Sequence, residues 1–200
     1  MLLKQKKTKG FSYIETGEGT PIVLLHGLMG ELSNFGSLTD HFSKNGFKVY
    51  APKIPIYEFS ILKTNVSNIA KSISEFLEEV VKEPAILVGN SLGGHLGLIT
   101  SLKRPDLVKA LCLTGSSGLY ERSFGETFPK RGSYEYVLKK AQEVFYNPEV
   151  ATKEIVDDVF DTINDRNKAI KTLYIARSAI RHNMKNDLKN IHIPVCLIWG

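Results

Sequence analysis

The feature that most constrains the fold is a set of short apolar runs separated by helix-length segments. The clearest runs are PIVLLHG (21–27), PAILVGN (84–90) and VKALCLTGS (108–116), and a weaker one is GFKVYAP (46–52). A strand that is apolar throughout must be covered on both faces, as in a parallel sheet. Residues 64–82 repeat apolar side chains at three- and four-residue spacing, which predicts an amphipathic helix. This alternation predicts an α/β fold with a mostly parallel central sheet and helices on both faces.

The pattern changes after about residue 117. Three helix-like stretches follow without a strand between them, and IPVCLIWG (193–200) then returns to a buried-strand pattern. An all-helical insertion between two core strands predicts a cap over the strand ends. We therefore predict a core over 1–117, a helical cap over 118–186 and a return to the core over 187–200.

Composition excludes several classes of function. The net charge is +5 over 200 residues, but the basic residues are dispersed, and the densest run, KQKKTKG (4–10), is predicted to be a solvated tail. No signal peptide, membrane span, metal-ligand cluster, GxGxxG motif or P-loop is present. Cys112 and Cys196 lie in apolar runs and are predicted to be buried free thiols. We expect a cytoplasmic protein with a small-molecule substrate, no cofactor, and neither nucleic acid nor membrane as a partner.

The most informative motif is VGNSLGG (88–94), where a strand pattern meets a helix pattern. A sharp strand-to-helix turn can hold one serine in a strained conformation, clear of its neighbours. Gly89 and Gly93 leave room for such a turn, and the helix start directs backbone N–H groups toward an oxyanion. We predict Ser91 as a nucleophile and the N–H of Leu92 as one oxyanion donor.

A second motif, LLHGLMG (24–30), ends an earlier strand of the same predicted sheet. The turn at His26 and Gly27 leaves the N–H of Leu28 free to be the other oxyanion donor. The His26 side chain is expected to be a structural group, and the alternative for Ser91 is an inert serine in a glycine-rich turn.

Together, HGLMG and GNSLGGHLGL resemble the α/β-hydrolase superfamily along essentially the whole chain. Asn90 before the serine and GGH after it are most similar to the carbon–carbon bond hydrolases of aromatic meta-cleavage pathways and to small esterases. The resemblance implies a catalytic triad of Ser, acid and His in that chain order. It places the acid and the histidine beyond residue 200, so we expect the 200-residue chain to be nearly inactive and to be a C-terminally incomplete part of a longer protein.

Two further positions depart from the family pattern. Many relatives carry an Asp-x-Pro-Gly-x-Gly-x-Ser stretch after the early strand. The corresponding residues here are PKIPIYEFS (52–60), so Lys53 stands where the acid would be, and Ile56 and Glu58 replace the glycines. Val159 stands near the place of the cap arginine of carbon–carbon hydrolases, although Arg177 and Arg181 are close along the sequence. A small ester is therefore the preferred substrate over a meta-cleavage product.

We accordingly predict a serine hydrolase that acts on a small, largely apolar ester or related carbonyl compound through an acyl-enzyme. The alternatives are a carbon–carbon bond hydrolase, a cofactor-free haloperoxidase or oxygenase, and a non-catalytic ligand-binding relative. Aromatic residues of the loop and cap are predicted to line an apolar pocket or, equally, to pack in the cap: Tyr120, Phe124, Phe128 and Tyr134.

Overall fold

The computed structural model describes residues 5–30, 35–120 and 132–199. Its sheet has seven strands in the order β1-β2-β4-β3-β5-β6-β7. The first two strand pairings, β1 with β2 and β2 with β4, are antiparallel, and the remaining ones are parallel. The strands are β1 (Gln5–Thr8), β2 (Phe11–Thr16), β3 (Thr20–Leu25), β4 (Phe47–Pro52), β5 (Ala85–Asn90), β6 (Val108–Thr114) and β7 (Val195–Ile198). The predicted fold class is confirmed.

Six α-helices lie in the described residues. They are α1 (Gly36–Lys44), α2 (Val66–Phe76), α3 (Leu92–Lys103), α4 (Tyr134–Gln142), α5 (Lys153–Asn164) and α6 (Arg166–Arg181). A single π-helical turn, Leu77–Val81, continues α2. No helix of the described residues is long and apolar enough to cross a membrane.

The central strand β3 shows why the apolar runs form buried strands. Its successive side chains point to opposite faces, so Val23 and Leu25 enter the larger apolar cluster while Ile22 and Leu24 enter the smaller one. All four side chains are almost completely buried. Both faces of the sheet are therefore covered, as the continuous apolar pattern predicts.

The predicted solvated tail at residues 4–10 is wrong for residues 5–8, which form β1. A turn at Lys9 and Gly10, both at positive φ, joins β1 to β2, and the Lys6 ammonium lies 2.9 Å from a Glu15 carboxylate oxygen across the pair. All four residues of β1 are exposed. Lysine-rich strands of this kind occur at sheet edges, where charge discourages pairing with other chains.

The helical segment divides between two apolar clusters. Val137, Val156 and Ile163 form a small cluster between α4 and α5, whereas Ile175 and Ala179 of α6 pack into the large cluster of the core. The cap boundaries at 118 and 186 remain a prediction.

The two cysteines face each other in register on β6 and β7. Cys112 is half-buried and Cys196 is exposed, and both are free thiols. The prediction of a buried thiol is therefore wrong for Cys196, because β7 is the last strand in the sheet order and its side chains are exposed.

Candidate active site

Ser91 lies in the sharp turn between β5 and α3. Its backbone has φ 50° and ψ −113°, and a positive φ is rare for a residue with a side chain. Such conformations persist only where the surrounding structure enforces them, and they cluster at functional sites. The side chain is partly exposed, so a ligand can reach its hydroxyl.

Two glycines make the turn possible. A Cβ atom at Gly93 would lie 2.0 Å from the carbonyl oxygen of Leu25, and one at Gly89 would lie 2.5 Å from the backbone nitrogen of Gly94. Both contacts are with backbone, which cannot move aside easily. The first turn of α3 can therefore press against the end of β3 only because position 93 has no side chain.

Backbone hydrogen bonds from the neighbouring strand fix the elbow. The Ser91 N–H donates to the carbonyl of Thr114 at 3.1 Å, and the Ser117 N–H donates to the carbonyl of Ser91 at 3.1 Å. The Asn90 side-chain amide also donates to the Thr114 carbonyl, at 3.1 Å. The end of β6 and the residues after it thus hold the backbone of Ser91, a role that the sequence patterns did not reveal.

The turn after β3 lies beside the elbow. A Cβ atom at Gly27 would lie 3.5 Å from the Cβ of Ser91, so the two turns are in contact. Within the described residues, no backbone or side-chain group accepts a hydrogen bond from the N–H of Leu28 or of Leu92. Both N–H groups are therefore free to donate to a ligand, as far as the described residues are concerned.

The His26 side chain has a structural role in this arrangement. Its Nε2 accepts a hydrogen bond from the Ile54 N–H at 3.1 Å, so its Nδ1 carries the proton and donates to the Gly27 carbonyl at 2.8 Å. Burial lowers the pKa of His26, and the nearby Lys53 charge lowers it further, against the hydrogen bond to Gly27. The neutral His26 side chain therefore links the turn at residues 26–28 to the loop over 52–60 through two hydrogen bonds.

No side chain in the described residues is within hydrogen-bond distance of the Ser91 hydroxyl. All five histidines are described: His41 and His192 are exposed, His26 is bonded as above, and His95 and His182 bond each other at 3.2 Å. The described residues also contain no group of three His, Cys, Asp or Glu side chains that could hold a metal ion.

The aromatic residues predicted to line a pocket are not brought together. Tyr120 is 84% exposed, and the Tyr134 hydroxyl donates to a carboxylate oxygen of Asp157 at 2.7 Å on the cap surface. Phe124 and Phe128 lie outside the described residues. The pocket assignment stays a prediction.

A groove with a volume of about 470 Å³ lies between α6 and the start of α2. Arg177, Arg181 and His182 supply its basic side chains, and Tyr174 and Leu62 its apolar ones. Ser91 does not line it. The sequence did not indicate this groove, because its residues lie on segments more than 100 positions apart.

A sequence model of the alpha/beta hydrolase fold matches residues 20–175, which include both turns and most of the helical segment. The chain belongs to the alpha/beta hydrolase fold family. Its structure is similar to the crystal structure of MGS-MChE2, an alpha/beta hydrolase enzyme from the metagenome of sediments from the lagoon of Mar Chica, Morocco. The TM-score is 0.78 with 45% identity, over 98% of this chain and 75% of that chain.

Two curated relatives extend the comparison. The uncharacterized hydrolase YugF of Bacillus subtilis (strain 168) is 29% identical over 66% of this chain and 53% of its own length. The 2-hydroxy-6-oxo-6-phenylhexa-2,4-dienoate hydrolase of Comamonas testosteroni is 25% identical over 94% of this chain and 73% of its own length. The chain therefore spans about half of YugF and about three quarters of the second relative.

Proposed function

We propose that the protein is a serine hydrolase of small, largely apolar esters or related carbonyl compounds. The observation that carries the proposal is the position of Ser91, held at positive φ between two unused backbone N–H donors. An inert serine would not need this strained conformation, whereas a nucleophile gains exposure from it. Membership of the hydrolase family and the similarity to MGS-MChE2 also support the proposal.

The reaction proceeds in two steps through an acyl-enzyme. The Ser91 hydroxyl oxygen forms a bond to the substrate carbonyl carbon as a base removes its proton, and the N–H groups of Leu28 and Leu92 stabilise the oxyanion. Collapse of this intermediate breaks the ester bond, and the alcohol leaves with the proton. Water then attacks the acyl-enzyme by the same route, which releases the carboxylic acid and restores the Ser91 hydroxyl.

The base must come from outside the described residues, because none of the five histidines reaches Ser91. In the family that this chain resembles, a histidine oriented by an acid takes this role. Loss of triad members lowers turnover by several orders of magnitude, while the oxyanion hole alone retains part of the rate enhancement. We therefore expect residues 1–200 alone to react slowly with esters.

Hydrolysis of a series of p-nitrophenyl esters, with and without added imidazole as an external base, tests this function. We expect Ser91-dependent turnover that imidazole increases and that favours short acyl chains. The matched control is Ser91→Ala, which should react only at the rate of imidazole in free solution. Equal rates for the two proteins under all conditions would contradict the proposal.

A second candidate is hydrolysis of a carbon–carbon bond in a meta-cleavage product. It is favoured by Asn90 next to Ser91 and by the similarity to the Comamonas testosteroni hydrolase. The same assay with a 2-hydroxy-6-oxo-dienoate, followed by loss of the dienoate absorbance, separates the two. Faster imidazole-dependent loss of the dienoate than of any ester would favour this second reaction.

A further inference from the structure

A pair of histidines joins the last cap helix to the helix that begins at the nucleophile. His95 lies one turn after Ser91 on α3, and His182 ends α6. Their rings are in contact, with His95 Nε2 and His182 Nδ1 3.2 Å apart and ring centroids 5.3 Å apart. The proposed hydrolysis assigns no role to either ring.

His95 is confined on every side. It is 0% exposed, its ring packs against the backbone of Gly118, and its own N–H donates to the carbonyl of Ser91 at 3.2 Å. Its Nδ1 is buried without a hydrogen-bond partner among the described residues. His182 is therefore the one polar partner that the structure gives to this ring.

The unpartnered Nδ1 determines the direction of the hydrogen bond. If His95 Nε2 accepted the proton of His182, the neutral His95 ring would carry its own proton on Nδ1 as a buried, unpaired donor. An unpaired buried N–H is rarer and less favourable than an unpaired acceptor. We therefore assign His95 Nε2–H as the donor and His182 Nδ1 as the acceptor.

Burial is the main cause that lowers the pKa of His95, to about 4; the charge of His182 lowers it further, and a hydrogen bond with the His182 backbone raises it. The His95 ring is therefore neutral near neutral pH, as the assigned direction requires.

The residues on either side of the pair connect it to the elbow. The Met184 N–H donates to the Gly118 carbonyl at 2.7 Å, and the Asn183 amide donates to the Leu119 carbonyl at 2.7 Å. The adjacent Ser117 holds the Ser91 carbonyl. A shift at the end of α6 would therefore reach the Ser91 backbone in two ways, through His95 and through residues 117–119.

We propose that His95 and His182 are positioning residues for the Ser91 reaction: their hydrogen bond holds α6 on the elbow helix. The kinetic part of this proposal rests on the proposed function. Its structural part, the docking of α6, does not.

The test compares His182→Ala, which removes the contact, with His182→Asn, which keeps a group able to accept near the position of Nδ1. The matched control is His192→Asn, which removes an exposed histidine of the segment after α6. Amide hydrogen exchange of α6 at neutral pH reports docking. Ester hydrolysis with imidazole, above the pH at which imidazole itself is protonated, reports KM and kcat.

We expect His182→Ala to increase exchange at the end of α6 about fivefold to tenfold at neutral pH, as loss of one hydrogen bond predicts. KM should rise by a similar factor while kcat changes little. His182→Asn and His192→Asn should keep the exchange of the wild type.

Exchange in His182→Ala as slow as in the wild type, or exchange in His182→Asn as fast as in His182→Ala, would overturn the proposal. Should His182→Ala fail to fold, His182→Asn against the wild type decides: equal protection supports the proposal, and faster exchange overturns it. Absence of any Ser91-dependent reaction, with the predicted exchange pattern present, would instead reject the hydrolase function and leave the docking role standing.

Discussion

At the scale of single residues, the site depends on one side chain held in a conformation that glycine would adopt more easily. Ser91 has φ 50° and ψ −113°, a region in which a Cβ atom is strained by roughly 1–3 kcal/mol. The Ser91 side chain is nevertheless partly exposed.

The strain predicts an unusual ranking of two inactive variants. Ser91→Gly relieves the backbone strain, whereas Ser91→Ala keeps it because alanine has a Cβ atom. The greater conformational entropy of glycine in the unfolded chain offsets only part of the stability that Ser91→Gly gains. We expect Ser91→Gly to be more stable than Ser91→Ala by about 1 kcal/mol in the free energy of unfolding. Urea unfolding checks this, and an alanine variant of equal or greater stability would show that the turn is not strained.

Gly93 gives a second prediction at this scale. The Cβ atom of Gly93→Ala would lie 2.0 Å from the Leu25 carbonyl oxygen, so the backbone must shift at a loss of roughly 2–3 kcal/mol. Gly36→Ala is the matched control, because its Cβ atom would meet nothing within 4 Å and alanine favours the helix that begins there. Urea unfolding of both proteins should show a large loss for the first and no loss for the second.

At the scale of elements, α6 is the helix that packs both against α5 and against the core. Besides His182, it contributes Ser178, whose hydroxyl accepts from the Val66 N–H at 3.1 Å, and Thr172, whose hydroxyl lies 3.2 Å from that of Tyr57. Its apolar face packs into the large core cluster through Ile175 and Ala179. The helix is thus attached at its middle and at its end.

The Ser178 contact is testable by a single substitution. Ser178→Ala leaves the first N–H of α2 without its partner, and we expect the free energy of unfolding to fall by about 1 kcal/mol. Arg181→Ala, which removes an exposed side chain of the same helix, is the control and should change it by less than about 0.5 kcal/mol. Equal losses in the two variants would mean that the hydrogen bond contributes nothing.

The elements that the sequence predicts are those whose burial leaves a pattern. β3, β5 and β6 are mostly apolar and were located within two or three residues, as was the elbow that joins β5 to α3. β1 carries two lysines and no apolar residue, so its pairing through backbone hydrogen bonds left no signal. The contact between His95 and His182 joins residues 87 positions apart, and no local pattern reports such a distance.

At the scale of the whole molecule, the site forms where three neighbouring parallel strands end. β3, β5 and β6 are adjacent in the sheet, and the chain that leaves each one contributes a part: the N–H of Leu28, the Ser91 side chain and the Ser117 N–H that donates to the Ser91 carbonyl. Parallel strands bring their carboxyl ends to one edge, which is where α/β sheets bind ligands. The position of the site therefore follows from the strand order, whereas the hydrogen bond from Ser117 left no pattern in the sequence.

Two buried histidines make the stability of the molecule depend on pH. Burial lowers the pKa of both His26 and His95 in the folded chain, and that of His95 falls to about 4. Between about pH 4 and the ordinary histidine pKa near 6.5, the unfolded chain therefore binds more protons than the folded chain. Stability therefore rises with pH across this window and falls on acidification. We expect a loss of about 2–3 kcal/mol from His95 between about pH 6.5 and about pH 4.

Urea unfolding at several pH values measures this dependence. The control is His41→Asn, which removes an exposed histidine and should leave the slope unchanged. A free energy of unfolding that stays constant across the window would show that neither buried ring resists protonation.

The most direct test of the account is the intact mass of the protein after treatment with a fluorophosphonate, with imidazole absent or present, followed by mapping of the modified peptide. We predict a single adduct on Ser91 that forms slowly without imidazole and faster with it, and no adduct in Ser91→Ala. An adduct elsewhere, or no difference between the wild type and Ser91→Ala, would contradict Ser91 as the nucleophile. Rapid modification of residues 1–200 without imidazole would contradict the claim that their histidines provide no base.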